Sequence, residues 1–136
     1  MVDLAERGRP TLVTTGASRS FRGSVRAVGA DFAVVREDRL GDVVIPFRAL
    51  SSVRPAPGEA GAGDGRPFTV ELVLCEMLIE LATEHPAIIV LAGRDEFRGR
   101  LRSVGIDVMS IVVEGPRRDV VHVNVVAVDH LVILTR

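Results

Sequence analysis

The chain of 136 residues has 17 basic and 18 acidic residues, a formal net charge of −1, and a hydrophobic content of 47%. That hydrophobic content excludes an intrinsically disordered chain, and the small net charge excludes a global field that attracts nucleic acid or anionic lipid. All the basic residues are arginine. The single cysteine, Cys75, cannot form an intrachain disulfide, which is typical of a reducing compartment.

The N-terminal residues carry no targeting signal that we can identify. Residues 1–9 form a polar lead-in that includes Asp3, Glu6 and Arg7, with no apolar run behind a basic start. The apolar run at residues 86–92 is far shorter than the roughly 20 residues that a membrane-spanning helix needs. We therefore expect a cytoplasmic protein that does not enter a membrane.

Alternating side chains predict five strands in the first half of the chain. Phe21, Gly23 and Val25 alternate with polar residues, which is the period of a half-buried strand. Pro46 cannot donate a ladder hydrogen bond, so it marks an edge or a bend. The predicted strands are residues 11–15, 21–26, 32–36, 43–47 and 50–54.

A linker and a helix follow. Residues 56–67 are rich in glycine and proline with almost no apolar bulk, which is typical of a linker. Residues 68–82 place apolar side chains on a broad arc of a helical wheel, which predicts a helix about 22 Å long. Pro86 ends it, because the residue before a proline avoids the helical region. An arc this wide predicts a helix that is covered on two sides.

The second half of the chain repeats the first. Phe97 to Asp107 match Phe21 to Asp31 at a constant offset of 76, with seven of eleven positions identical. Beyond a polar hairpin tip the copies realign at an offset of 78. A repeat of this kind indicates two copies of one structural unit. The predicted strands of the second copy are residues 87–92, 96–104, 108–114, 120–126 and 129–134.

Two short motifs recur in the two copies: Arg-Gly-x-hydrophobic at 22–25 and 98–101, and hydrophobic-Gly-x-Asp at 28–31 and 104–107. The first copy also ends in hydrophobic-Pro-hydrophobic-x-Ala-hydrophobic at 45–50. This pattern resembles the Sm-like barrel, the fold of the Sm, Lsm and Hfq RNA-binding proteins. The layout also resembles small uncharacterised bacterial proteins with two such repeats.

The resemblance implies a mostly β protein made of two tandem Sm-like (SH3-like) five-stranded small barrels with an α-helix between them. The expected domains are a first barrel at 1–55, the linker at 56–67, and the helix plus a second barrel at 68–136. The resemblance implies a non-enzymatic protein that binds single-stranded RNA or acts as an RNA-associated regulatory module. The alternative is a protein–protein interaction or scaffold module that binds no RNA.

Arginines alternate with core residues on the second strand of each copy. If Phe97 and Leu101 face the core, the arginines between them line the outer face, where guanidinium groups can contact RNA phosphates. A solubilising face with local salt bridges is the other interpretation. The predicted phosphate contacts are Arg22, Arg26, Arg98, Arg100 and Arg102.

Aliphatic residues occupy both faces of the last two predicted strands, which is typical of strands buried on both sides. In Sm-like rings strand four of one module pairs with strand five of the next, so the resemblance implies β-pairing between barrels or subunits. Packing between the barrel and the helix is the alternative. We expect a homo-oligomer, either a dimer or a ring. The predicted contacts are Val121, Val123, Val125, Leu131, Ile133, Leu74, Met77 and Leu81.

The sequence contains no constellation that indicates catalysis or metal binding. His85, His122 and His130 do not have the spacing of metal ligands, and no serine lies in a nucleophile elbow. We therefore expect no enzyme activity, no cofactor and no metal. Asp31 and Asp107 follow a glycine at matching turns, where we expect each to hydrogen-bond nearby backbone.

Overall fold

The protein is mostly β in its computed structural model, which describes residues 10–56 and 68–134. Unit one, residues 11–56, has five strands where the alternation predicts them. They are β1 (Thr11–Thr15), β2 (Ser20–Val28), β3 (Phe32–Glu37), β4 (Gly41–Pro46) and β5 (Leu50–Pro55). A 3₁₀ turn (Phe47–Ala49) follows Pro46 and leads into β5, so this proline marks a bend.

Unit two, residues 68–134, repeats this order behind a short strand and a helix. Its elements are β6 (Phe68–Thr69), α1 (Leu74–Ala82), β7 (Ala87–Ala92), β8 (Asp95–Val104), β9 (Val108–Val113), β10 (Val120–Asn124) and β11 (Val128–Leu134). A second 3₁₀ turn (Val125–Ala127) joins the last two strands. The lead-in at residues 1–9 and all of the linker except Ala56 lie outside the described residues.

The predicted helix is wrong over its first six residues. Phe68 and Thr69 form β6, which pairs in parallel with β2 at Ala27 and Val28. The Val70 amide then donates to the Val28 carbonyl at 2.9 Å. Backbone hydrogen bonds to unit one therefore hold this segment extended, although its apolar residues fit a helical wheel. The helix begins only at Leu74.

The strands pair along one open path, in the order β10-β9-β8-β7-β11-β4-β3-β2-β1-β5. Each unit contributes five consecutive strands with the same internal order, and every pairing on the path is antiparallel. The register also repeats: Val13 pairs with Val53 in unit one, and Val90 pairs with Leu131 in unit two. The path leaves β10 and β5 at its two ends.

The pairing of β4 with β11 joins the two units. Val44 lies opposite Leu131 and Val43 opposite Val132, and all four side chains are buried. Beside this pair, the Ala17 amide donates to the carboxylate of buried Asp129 at 3.1 Å. This contact ties the β1–β2 turn of unit one to β11.

Each hydrophobic core contains side chains from both units. Phe32 and Val44 of unit one pack with α1 and the strands of unit two. Ile89 and Val132 of unit two pack with the core of unit one. Small units bury too little surface to be stable alone, and the shared cores remove that difficulty.

Two equivalent glycines permit close approach of neighbouring strands. A Cβ atom built on Gly23 would lie 2.0 Å from the Arg36 carbonyl oxygen, and one on Gly99 would lie 2.1 Å from the Val112 carbonyl oxygen. Real Cβ contacts of this length do not occur, so the backbone would have to shift. The Arg-Gly motif of the repeat therefore has a packing role in both units.

Substituting Gly99→Ala should destabilise the protein by about 1–3 kcal/mol, because the added methyl group forces neighbouring backbone apart. Urea unfolding followed by circular dichroism measures the change. Gly105→Ala is the matched control, since a Cβ atom on Gly105 has no atom within 4 Å. Equal losses of stability in the two variants would contradict the packing role.

Candidate functional site

The five predicted phosphate-contacting arginines fall into two separate groups, and all five are exposed. Arg22 and Arg26 lie on β2, whereas Arg98, Arg100 and Arg102 lie on β8. Four strands separate β2 from β8 in the sheet order. The sheet path therefore does not place the two groups side by side.

A β-bulge occurs at the same place in both units. The register shifts between Val25 and Ala27 on β2, and between Leu101 and Ser103 on β8. The strand register skips Arg26 and Arg102, which are equivalent in the repeat. A bulge bends the strand and re-aims the side chain it carries. Arg102 is therefore displaced from the regular alternation of Arg98 and Arg100.

A cavity of about 510 Å³ lies over the outer side of β8 and β9 in unit two. Arg100 and Arg102 line it from β8, and Arg118 lines it from the tip between β9 and β10. Arg98 does not line it. The structure thus brings two predicted arginines together with a third that the sequence interpretation did not select.

Hydrogen bonds fix one wall of this cavity. The Arg100 guanidinium donates to the His85 carbonyl at 3.0 Å, and the His85 ring lies 3.3 Å from the Leu101 carbonyl oxygen. Within the described chain, none of the three arginines forms an ion pair with a carboxylate. Glu114 lines the same cavity without forming an ion pair with any of them.

The predicted contact residues occupy four different environments. Leu131 and Ile133 lie on β11 and pair with β4, which joins the units within one chain. Leu74, Met77 and Leu81 of α1 pack in the core that contains Phe32. Val121 and Val123 lie on β10, which pairs only with β9 among the described strands. The carbonyl of Val125 accepts a hydrogen bond from the Arg48 guanidinium.

The surface around the β8–β9 turn differs between the units. In unit one Phe32 is only 1% exposed, because α1 and its neighbours cover it. Its counterpart in unit two, Val108, is 40% exposed. Ile106 and Val126, close to Val108, are 90% and 61% exposed. We call Ile106, Val108 and Val126 the open face of unit two.

Asp31 and Asp107 have different roles despite their equivalence. The Asp31 carboxylate accepts a hydrogen bond from the Leu74 amide at 2.7 Å and so caps α1 from the other unit. The predicted bond to nearby backbone is therefore wrong for Asp31, whose partner is 43 residues away. Asp107 has a φ of 61° and contacts Val125 through its backbone carbonyl.

Cys75 and the histidines and acidic residues of the described chain form no further candidate site. Residues 10–56 and 68–134 contain no group of three or more histidine, cysteine or acidic side chains placed to hold a metal ion. No helix in these ranges has the length and apolar character to cross a membrane. Cys75 is half-buried, with its thiol 3.4 Å from the Gly105 carbonyl oxygen.

Comparison of this chain with protein-family models, curated proteins and solved structures finds no match. A functional interpretation therefore depends on the geometry of the chain itself.

Substituting Asp31→Ala should cost about 1 kcal/mol of stability, because the first turn of α1 loses a side-chain acceptor. Thermal unfolding measures the loss. Asp107→Asn is the repeat-matched control and keeps a residue that tolerates a positive φ. A loss in the control equal to that in Asp31→Ala would contradict the capping role.

Proposed function

We propose that this protein is a non-enzymatic assembly module of two Sm-like small barrels, and that its chains associate head to tail through strand edges. The order β5-β1-β2-β3-β4 in unit one and its repeat in unit two support the Sm-like barrels. The β4–β11 pairing carries the proposal, because it is an example within one chain of such units associating through strands four and five.

The same contact can form again between two chains. β10 is the repeat counterpart of β4, and β5 is the repeat counterpart of β11, each at an offset of 78 residues. The β4–β11 register, transferred to these counterparts, pairs β10 of one chain with β5 of another. Val121 then lies opposite Arg54, and His122 opposite Val53. Both β10 and β5 lie at the ends of the described strand path, so each has an unpaired edge. A copy of the chain on each side supplies one of the two missing strands.

The open face supports the same partner. In unit one the equivalent region contacts unit two, because the Ala30 amide donates to the Leu72 carbonyl and Asp31 caps α1. Phe32 is buried there, whereas its counterpart Val108 in unit two is exposed beside Ile106 and Val126. Exposed aliphatic groups beside an open strand edge are typical of an interaction surface.

The strand edges of this proposed contact are more polar than those of the junction within the chain. His122 stands where unit one has Val44, and its ring is hydrogen-bonded to Ser110 at 2.8 Å. Arg54 stands where unit two has Val132, and Pro55 follows it. Charged residues and proline limit edge-to-edge aggregation. We therefore expect the chains to associate reversibly instead of forming a permanent polymer.

The double variant Ile106→Asp/Val126→Asp should weaken association by about tenfold or more, because it replaces aliphatic burial with two charges. Light scattering over a range of protein concentrations measures the mass. Phe68→Asp is the control, since this exposed side chain lies beside β2 and outside the open face. The proposal fails if the wild type stays monomeric at about 200 μM, or if the control has the same effect.

A second candidate function is binding of single-stranded RNA on β8. The exposed Arg98, Arg100 and Arg102 favour it, because they lie on one strand and form no ion pair within the described chain. Guanidinium groups spaced along a strand can contact successive phosphates without reading sequence.

The variant Arg98→Gln/Arg100→Gln/Arg102→Gln should reduce RNA affinity and its dependence on salt, because fewer counterions are released on binding. Fluorescence anisotropy with a labelled single-stranded RNA, between about 50 and about 200 mM salt, measures both. Arg94→Gln controls for the general loss of positive charge. Salt-independent affinity, or equal affinity of the variant and the wild type, excludes this function.

A further inference from the structure

We propose that the cavity in unit two is a binding pocket for a phosphate monoester of mononucleotide size. The pocket does not depend on chain association. The ligand can be a free nucleotide or the phosphorylated end of an RNA, and only the second of these rests on the RNA-binding candidate. A cavity of about 510 Å³ lies within the range of small-molecule sites, about 300–1,000 Å³.

The charges at the cavity favour an anion. The lining has a formal net charge of +2 when His85 is counted as neutral. Three positive charges come from Arg100, Arg102 and Arg118, and one negative charge comes from Glu114. Arginine presents a planar fork of donors that matches two phosphate oxygens at once. A phosphate monoester carries nearly two negative charges at neutral pH, which suits this balance.

Two of the lining residues adopt an unusual backbone conformation. His85 has a φ of 48° and Arg118 a φ of 50°. Residues other than glycine rarely occupy this region, and those that do are frequent at ligand sites. At Arg118, the conformation belongs to the tip that follows Gly115 and brings a third guanidinium to the cavity.

The remaining walls explain why the ligand is larger than inorganic phosphate. Ala87 and Val112 give the cavity an apolar side that can contact a base. Glu114 can accept hydrogen bonds from sugar hydroxyls, which inorganic phosphate does not have. Gly99 has no side chain, so the cavity is lined there by the backbone of β8.

The arginines that line the pocket are not all repeated in unit one. The residue equivalent to Arg100 in unit one is Ser24, and the two hairpin tips differ in length by two residues. The bulged arginine is common to both units, but Arg118 and the arrangement around it are not. Arg26→Gln therefore removes the repeat counterpart of Arg102 without touching the pocket.

Titration of the full chain with 5′-AMP, adenosine and inorganic phosphate tests the inference, with calorimetry as the readout. We expect 5′-AMP to bind more tightly than either of the other two. Arg102→Gln and Arg118→Gln should each weaken it by about tenfold, because each removes a charge-assisted hydrogen bond. Arg98→Gln and Arg26→Gln should change the affinity less than twofold.

Competition identifies the source of the phosphate. Displacement of 5′-AMP by a 5′-phosphorylated RNA, but not by the same RNA with a 5′-hydroxyl, assigns the pocket to an RNA end. Displacement by neither RNA assigns it to a free nucleotide. Both results support the pocket.

Three results overturn the inference: 5′-AMP does not bind, adenosine binds as tightly, or Arg98→Gln is as damaging as Arg102→Gln. Light scattering on the same samples keeps this test separate from the assembly proposal, because pocket variants should leave the mass unchanged. RNA binding that 5′-AMP does not compete for, together with no 5′-AMP binding, would retain RNA binding on β8 and reject the pocket.

Discussion

The pairing of β4 with β11 is the contact on which the rest of the structure depends. It joins two five-stranded units into one continuous strand path and places Val43, Val44, Leu131 and Val132 in the interior. Because both strands are buried on both faces, each unit completes the hydrophobic core of the other. The cap from Asp31 to α1 and the bond from Ala17 to Asp129 reinforce the same junction.

The junction also determines which surfaces remain available. A contact between strand four of one unit and strand five of another is heterologous, so it uses different edges on the two partners. One such contact forms within the chain. It leaves the edge of a strand four, β10, at one end of the strand path and the edge of a strand five, β5, at the other end. Repetition of a heterologous contact rotates each chain relative to the one before it. The result is a closed ring if these rotations add up to a full turn, and a filament if they do not.

Divergence between the repeats follows this division of roles. Val44 and Val132 at the internal junction are aliphatic, whereas their counterparts at the free edges are His122 and Arg54. Around the β8–β9 turn, unit two is instead the more hydrophobic of the two units, because it has Ile106 where unit one has Ala30. In the proposed assembly, the aliphatic open face supplies affinity, and the polar edges keep the contact reversible.

The strands were predictable from the sequence because period-2 alternation and the repeat report local geometry. All ten strands predicted from the sequence appear in the structure within two residues of the expected bounds. The start of α1 was not predictable in this way, because residues 68–72 stay extended through hydrogen bonds to unit one. A helical wheel contains no information about such distant partners.

The candidate site was predictable only in part, for a similar reason. The alternation on β8 identified Arg100 and Arg102, but the cavity also requires Arg118 and His85. These two residues reach it through a hairpin tip and a left-handed backbone, which depend on tertiary packing. The Gly-Pro-Arg-Arg sequence of the tip was the available signal for Arg118, since it places a positive charge in a tight turn. No comparable signal singled out Asp31 as the cap of α1.

Disulfide trapping between chains tests the proposed association most directly. In a Cys75→Ser background, the pair Arg54→Cys and Val121→Cys should lie directly opposite each other, within the Cα separation of about 4.4–6.8 Å that a disulfide needs. Mild oxidation should then give covalent dimers and longer species on a non-reducing gel. The pair Ser52→Cys and Val121→Cys lies two residues out of register, at about 7–8 Å, and should cross-link poorly. Equal cross-linking of the two pairs, or none with the first, would contradict the head-to-tail pairing of β10 with β5.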